Sequence, residues 1–290
     1  MMERERMNIQ WYPGHMTKTR RQIEADLKLV DAVCEIVDAR IPVSSRNPDI
    51  DAICGSKPRI VILNRMDLAD LSATKRWMRY FRSKGIAAVA TDCKSRKGIT
   101  DFQPAVSSVL KEKIARNTAK GMNRPVRVMV VGIPNVGKST LINQISGRKG
   151  AKAENRPGVT RGKQWVTVDS GLLLLDTPGI LWPKFEDPEV GMMLAYTGAV
   201  KEDILDTEEL SCRLMELLLK LYPDVVRERY KVDLPQGTPG YQLLEEAGRK
   251  RGYLLARGEI NTERMAKVLL DEFRSGKLGR FTLEEPEETV

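Results

Sequence analysis

Hydrophobic positions along this chain fall into short blocks separated by turn residues and by amphipathic stretches. Residues 16–30 place Ile23, Leu27 and Val30 at helical spacing, which predicts an amphipathic helix. Five apolar runs follow, at Ala32–Val37, Ile60–Leu63, Ile86–Ala90, Val126–Val131 and Leu172–Leu175. Each is too short for a helix and apolar on both parities, as expected of strands buried on both faces of a parallel sheet. Val166 and Val168 alternate with polar residues and predict one further strand. Helical patterns lie between the strands at Ala73–Lys84, Asp101–Lys120 and Lys138–Gly147. Alternation of strand and helix predicts an α/β fold with helices covering the sheet.

After about residue 200 the pattern is helical only. Thr207 caps a helix running to Tyr222 and stopped by Pro223. Thr238-Pro239 opens another that ends near Gly252, and Asn261 caps a third that ends near Gly276. The tail EEPEET is charged and is expected to fray. This divides the chain into a leading segment (1–19), an α/β domain (20–200) and a small all-helical C-terminal domain (201–290).

Composition narrows the class. With 290 residues and 41% hydrophobic content, the chain has enough apolar material for a real core. No apolar run approaches the ~18 residues of a membrane helix, so no membrane span is expected. The start MMERERMNIQ lacks an apolar signal core, and a cytoplasmic location fits best. Cys34, Cys54, Cys93 and Cys212 are widely spaced, suggesting neither a zinc site nor a disulfide framework. Residues 1–200 carry 33 Lys and Arg against 20 Asp and Glu, whereas 201–290 carry 15 against 19. The positive field on the first two thirds suits a polyanion such as nucleic acid, although solubility alone also accounts for it.

The sharpest chemistry is Gly132–Ser139, GIPNVGKS, between the strand VRVMVV and a helix. This is GxxxxGK[ST] in its required strand–loop–helix context. Asn135, Val136 and Gly137 supply a backbone that curls around phosphates. Lys138 reaches the β- and γ-phosphates, Ser139 ligates Mg²⁺, and Thr140 sits in the same helix start. Asp176-Thr-Pro-Gly179 follows the strand LLLL. Asp176 can hold Mg²⁺ through water, and the Gly179 N–H can meet the γ-phosphate.

Base choice rests on Asn64-Arg65-Met66-Asp67, after the strand RIVIL. A carboxylate at Asp67 accepts from both N1–H and the 2-amino group of guanine, a match adenine lacks. Asn64 braces the pocket. The stretch resembles the NKxD motif of GTPases with Arg65 replacing Lys; Arg keeps the charge and a stem able to cover the base, but is bulkier. Thr91–Ile99 stands where a SAK-type loop belongs. Lys94 fits; Asp92 and Cys93 depart from Ser and Ala, and a generic basic loop is the alternative. Thr160, between the phosphate loop and DTPG, is the candidate switch threonine for Mg²⁺.

Base motifs therefore precede phosphate motifs, the reverse of the usual order. With WYPGHM (Trp11–Met16), VDARIPVSSRNP (Val37–Pro48) and DTPGILWPKFED (Asp176–Asp187), the chain resembles the YlqF-type circularly permuted GTPases over nearly its whole length. The resemblance implies a P-loop GTPase sheet and GTP hydrolysis to GDP and phosphate. It implies a role in late maturation of the large ribosomal subunit, with rRNA and ribosomal proteins as partners. The helical domain would touch rRNA, and the particle would stimulate hydrolysis. Ile180 occupies the position where many GTPases carry a catalytic Gln, and an aliphatic group cannot orient water. By the resemblance, His15 is the candidate that orients or activates it; a structural or RNA-contacting role for WYPGHM is the alternative. Asn135 is likewise the candidate that helps hold a K⁺ ion. Basic clusters at Lys18–Arg21, Arg76–Lys84, Lys94–Lys97 and Arg249–Arg251 bind phosphates or form solvated faces. Tyr253 stacks on a base or packs in the core. Two other classes stay open at this stage: a GTP-dependent RNA-binding scaffold in which hydrolysis only resets binding, and a P-loop ATPase.

Overall fold

A computed structural model describes residues 16–122, 124–147, 164–169, 171–177, 179, 187–200 and 206–287. They pack as two compact units. One comprises Gln10–Lys184 together with Glu284–Val290, the other Phe185–Leu283.

The first unit is a six-stranded sheet in the order β3-β2-β1-β4-β6-β5. Its strands are β1 (Ala32–Asp38), β2 (Arg59–Asn64), β3 (Ala87–Thr91), β4 (Val126–Gly132), β5 (Gln164–Asp169) and β6 (Leu172–Asp176). The five apolar runs are the five parallel strands, and β1 is buried at every position. The alternating run is β5, antiparallel to β6 at the sheet edge. Helices α1 (Met16–Leu27), α2 (Ile50–Cys54), α3 (Leu71–Ser83), α4 (Phe102–Val109), α5 (Lys111–Ala119) and α6 (Lys138–Ser146) complete the unit. Ile23, Leu27 and Val30 pack with Val33, Met129 and Leu175, while Trp77 and Phe81 of α3 pack with Val37, Val61 and Leu63.

Three local expectations are corrected. The single helix expected over Asp101–Lys120 is two, α4 and α5, breaking at Leu110, which is buried with φ −108°. The five-residue α2 was not anticipated. The tail is not frayed at its start: both Glu284 and Glu285 are engaged with the first unit.

The second unit contains α7 (Pro188–Tyr196), α8 (Thr207–Leu221), α9 (Pro223–Tyr230), α10 (Gly240–Lys250) and α11 (Thr262–Ser275). The cap of α8 is Asp206, accepting from the Glu208 and Glu209 amides, rather than Thr207. Pro223 ends α8 and also opens α9, because a helix start needs no N–H from its first residue. Asn261 caps α11 by accepting from the Arg264 amide, and Gly276 ends it in the left-handed region. The division expected at 200/201 lies at 184/185, since α7 packs on α8 and α11. Arg274 fixes that packing by donating to the carbonyls of Ala195 (2.7 Å) and Tyr196 (3.0 Å) at the end of α7. The last residues, from Glu284, belong to the sheet unit.

Among the described residues no helix is long and apolar enough to cross a membrane. All four cysteines are free thiols, and three are buried.

Candidate guanine nucleotide site

Register places the chemistry. Asp38 aligns with Asn64, Asn64 with Thr91, Ile36 with Gly132, and Val130 with Asp176. The polar residues thus emerge in a row at the C-terminal ends of parallel strands. The sequence moves outward from β1 to β2 and β3, then returns to β4 on the other side of β1. That reversal makes a switch point, where open α/β sheets hold ligands.

The phosphate loop leaves β4 and enters α6. Asn135 (φ 58°) and Gly137 (φ 107°) both lie in the left-handed region. Gly137 is required on a second count: a Cβ there would stand 2.4 Å from the Asn64 amide nitrogen. Lys138 is buried and arches over its own loop, donating to the carbonyls of Gly132 (2.9 Å) and Ile133 (2.8 Å). Burial pulls its ammonium down to about 8, against the opposing pull of Asp176. Burial pushes the Asp176 carboxyl up, and its Oδ1 is buried without a hydrogen-bond partner among the described residues. Ser139 and Thr140 lie half-buried in the first turn of α6. Gly179 approaches the loop so closely that a Cβ would stand 2.9 Å from Lys138 Nζ and 3.0 Å from Pro134 Cα.

The base motif meets this loop directly. Asn64 donates through Nδ2 to the Val136 carbonyl at 2.8 Å. Its Oδ1 accepts from Thr91 Oγ1 (3.2 Å) and from the Cys93 amide (3.4 Å). One buried side chain therefore ties β2 to the phosphate loop and to the 91–97 loop. Arg65, itself at φ 62°, donates to the Asn135 carbonyl at 2.7 Å and lies 3.4 Å from Asp38. Two left-handed non-glycine residues hold each other, and such strain persists only where surrounding contacts fix it. The Met66 amide is bound by the Thr91 carbonyl (3.1 Å). Asp67 is half-buried and makes no hydrogen bond among the described residues, leaving both carboxylate oxygens available.

Asp92 explains its own departure from Ser. Its Oδ1 accepts from the amides of Lys94 (2.9 Å) and Ser95 (3.3 Å), its Oδ2 from the Ser95 hydroxyl, and its amide donates to the Lys97 carbonyl. An Asx turn thus shapes the loop. These bonds outweigh burial and hold its carboxyl below the usual range. Cys93 is buried with its thiol pushed up to about 11, first by burial, while Lys94 is exposed. His15, Thr160 and Ile180 lie outside the described residues.

Sequence reasoning assigned no role to Asp38 and Arg40. Asp38 is buried and accepts from Arg40 through its backbone amide (3.0 Å), Nε (3.0 Å) and Nη2 (2.7 Å). Burial alone would raise its carboxyl, but Arg40 and then Arg65 hold it low. The available signal was a carboxylate ending a fully buried strand, two residues before an arginine.

Over 285 residues the chain is 47% identical to ribosome biogenesis GTPase A of Priestia megaterium, covering 97% of this chain and 98% of that one. The chain belongs to the ribosome biogenesis GTPase A family. The Bacillus cereus member is 46% identical, covering 97% of this chain and 95% of its own length. A family model described as a 50S ribosome-binding GTPase matches residues 127–223. The GDP-bound structure of TM YlqF superposes with a TM-score of 0.68 at 28% identity, over 92% of this chain and 100% of that one. As a member of this family, the chain is a circularly permuted GTPase that binds guanine nucleotide, hydrolyses GTP and serves ribosome biogenesis.

Proposed function

We propose that this GTPase acts in the cytoplasm as an assembly factor in late maturation of the large ribosomal subunit. Its partners are the subunit precursor with its rRNA and ribosomal proteins. The observation that carries the nucleotide half is the Asn64–Val136 bond, which joins the base motif to the phosphate loop across 72 positions of sequence. The particle half is supported by the family relation and by the excess positive charge of residues 1–200.

In this reading Asp67 accepts from the guanine edge, with Arg65 and Met66 framing it, while the Cys93 amide and Lys94 approach the base from the second loop. Backbone amides of Asn135–Lys138 cradle the phosphates, and Lys138 leaves its loop carbonyls for phosphate oxygens. Ser139, Thr160 and, through water, Asp176 would hold Mg²⁺, which would neutralise developing charge on the phosphates. The unpartnered Asp176 Oδ1 beside Lys138 suits that task. Thr140 and Gly179 border the phosphates. Asn135 keeps its side chain free of hydrogen bonds among the described residues and is the ligand we assign to K⁺.

His15 is assigned to orient the attacking water. His15→Ala is expected to slow particle-stimulated hydrolysis while GTP affinity stays near its original value; unchanged single-turnover rates on the particle would remove His15 from the mechanism. The decisive experiment compares GTP turnover with and without purified large-subunit particles. Stimulation by these particles, with retention on them in a non-hydrolysable GTP analogue, is expected. Equal turnover in both conditions would overturn the ribosomal assignment. In the helical unit, the Arg249 and Arg251 side chains are engaged within the protein. Arg249 pairs with Glu245 and Glu246, and Arg251 sits over the Tyr230 ring.

A further inference from the structure

The chain leaves the helical unit at Leu283, and the next residue is a carboxylate used by the nucleotide-binding unit. Glu284 Oε2 accepts from the Val43 amide at 2.6 Å, and Oε1 accepts from the Ser44 amide at 3.0 Å. Two consecutive amides of the turn after β1 are thereby satisfied by a residue 240 positions away. The tail is pinned where this happens. Trp77 donates through Nε1 to the Glu284 carbonyl (2.9 Å), and Arg76 forks onto Glu285 with 2.9 and 2.5 Å contacts. Val43 is 52% exposed, so its apolar burial does not hold this part of the turn.

From that turn a continuous set of bonds reaches the phosphate loop. Ser45 Oγ donates to the Ile41 carbonyl (2.6 Å) and accepts from the Asp38 amide (2.9 Å). The Asp38 carboxylate is clamped by Arg40 and faces Arg65 at 3.4 Å. Arg65 in turn grips the Asn135 carbonyl. Each link is buried or half-buried, where hydrogen bonds to charged groups are worth most.

We propose that Glu284 is a positioning residue for the nucleotide site. Acting through the 41–46 turn and the Asp38–Arg65 pair, it sets the Asn135 carbonyl and hence the curvature of the phosphate loop. Removal of its carboxylate loosens the turn, lets Asp38 and Arg65 shift, and leaves the loop less well formed before nucleotide arrives. The proposal rests on the phosphate-loop reading and is independent of the ribosomal partner.

The test is equilibrium titration of the full chain with fluorescently labelled GDP. Tight binding by the unsubstituted chain establishes the pocket; its failure would count against the nucleotide-site reading rather than this one. Glu284→Ala is expected to weaken GDP by about fivefold, at the lower end of typical coupling between sites. Glu284→Gln, which keeps one acceptor oxygen, recovers part of the loss. Arg65→Ala also weakens binding, and in the double variant the two losses do not multiply, because both act through one carbonyl. By reciprocity, GDP slows amide exchange at Val43 and Ser44. Should Glu284→Ala fail to fold, Trp77→Phe removes only the indole bond to the tail and is expected to weaken GDP in the same direction. Unchanged GDP affinity in the folded tail variants, or losses from Glu284→Ala and Arg65→Ala that multiply independently, would overturn the proposal.

Discussion

At the residue scale, the site is organised by two side chains of the base motif with separate tasks. Asn64 makes three hydrogen bonds to protein, one through Nδ2 and two through Oδ1, so its worth is structural as well as functional. Asn64→Ala leaves the buried Val136 carbonyl and Thr91 hydroxyl short of a partner. It is expected to cost about 1–3 kcal/mol of unfolding free energy, read from urea denaturation, and to weaken GTP as well. Asp67 makes no hydrogen bond among the described residues, and in the proposed reading its effect falls on the ligand. Asp67→Asn replaces one acceptor by a donor, which repels the 2-amino group of guanine and suits a carbonyl at that carbon. GTP affinity is expected to fall by roughly 10–100-fold, as for about 1–3 kcal/mol of lost hydrogen bonding, while xanthosine triphosphate gains; equal affinities for both nucleotides in the two proteins would exclude Asp67 from the base contact. The contrast was half legible. The expectation for Asp67 comes from carboxylate chemistry alone, whereas the grip of Arg65 on the Asn135 carbonyl depends on where two distant turns meet.

At the element scale, buried strands declared themselves through short, mostly apolar runs, and all five are within about a residue of their expected bounds. Short helices did not. The five residues of α2 and eight of α9 are fewer than a periodic pattern needs, and α7 follows a proline-rich stretch that masks its start. Packing between helices was likewise invisible, and Glu272 of α11 is its clearest case. It accepts from Tyr230 (2.8 Å) and from Arg229, both on α9, and Arg251 lies 3.7 Å away. Burial opposes its charge, but these donors prevail and its carboxyl is held below the ordinary range. A carboxylate depressed on folding stabilises the folded state above the unfolded pKa, about 4.3 for Glu. That contribution is lost as pH falls through the folded value. Glu272→Gln should therefore lower the melting temperature at pH 7 and shrink the difference from the parent chain as pH drops below about 4. A difference that stays constant across that range would show that the ion pairs contribute no pH-linked stability.

At the scale of the whole molecule, permuted motif order leaves the sheet intact because register, not sequence order, brings strand ends together. Asp38, Asn64 and Thr91 align across β1, β2 and β3 whichever segment is made first. What the sequence pattern misplaced was the seam. Composition changes near residue 200, yet packing changes at 184/185, since α7 buries Met192, Leu194 and Tyr196 with the helical unit. Each such side chain contributes about 1.5–3 kcal/mol when fully buried, a large share of the ~5–15 kcal/mol that holds a domain together. Arg274 would also lose both carbonyl acceptors if α7 were absent. A fragment spanning 185–283 is accordingly expected to show helical circular dichroism and a cooperative melt. A fragment spanning 201–283 should melt at a markedly lower temperature or not cooperatively at all. Equal melting of the two would place the seam where composition changes, and α7 would then be only a linker that happens to be helical.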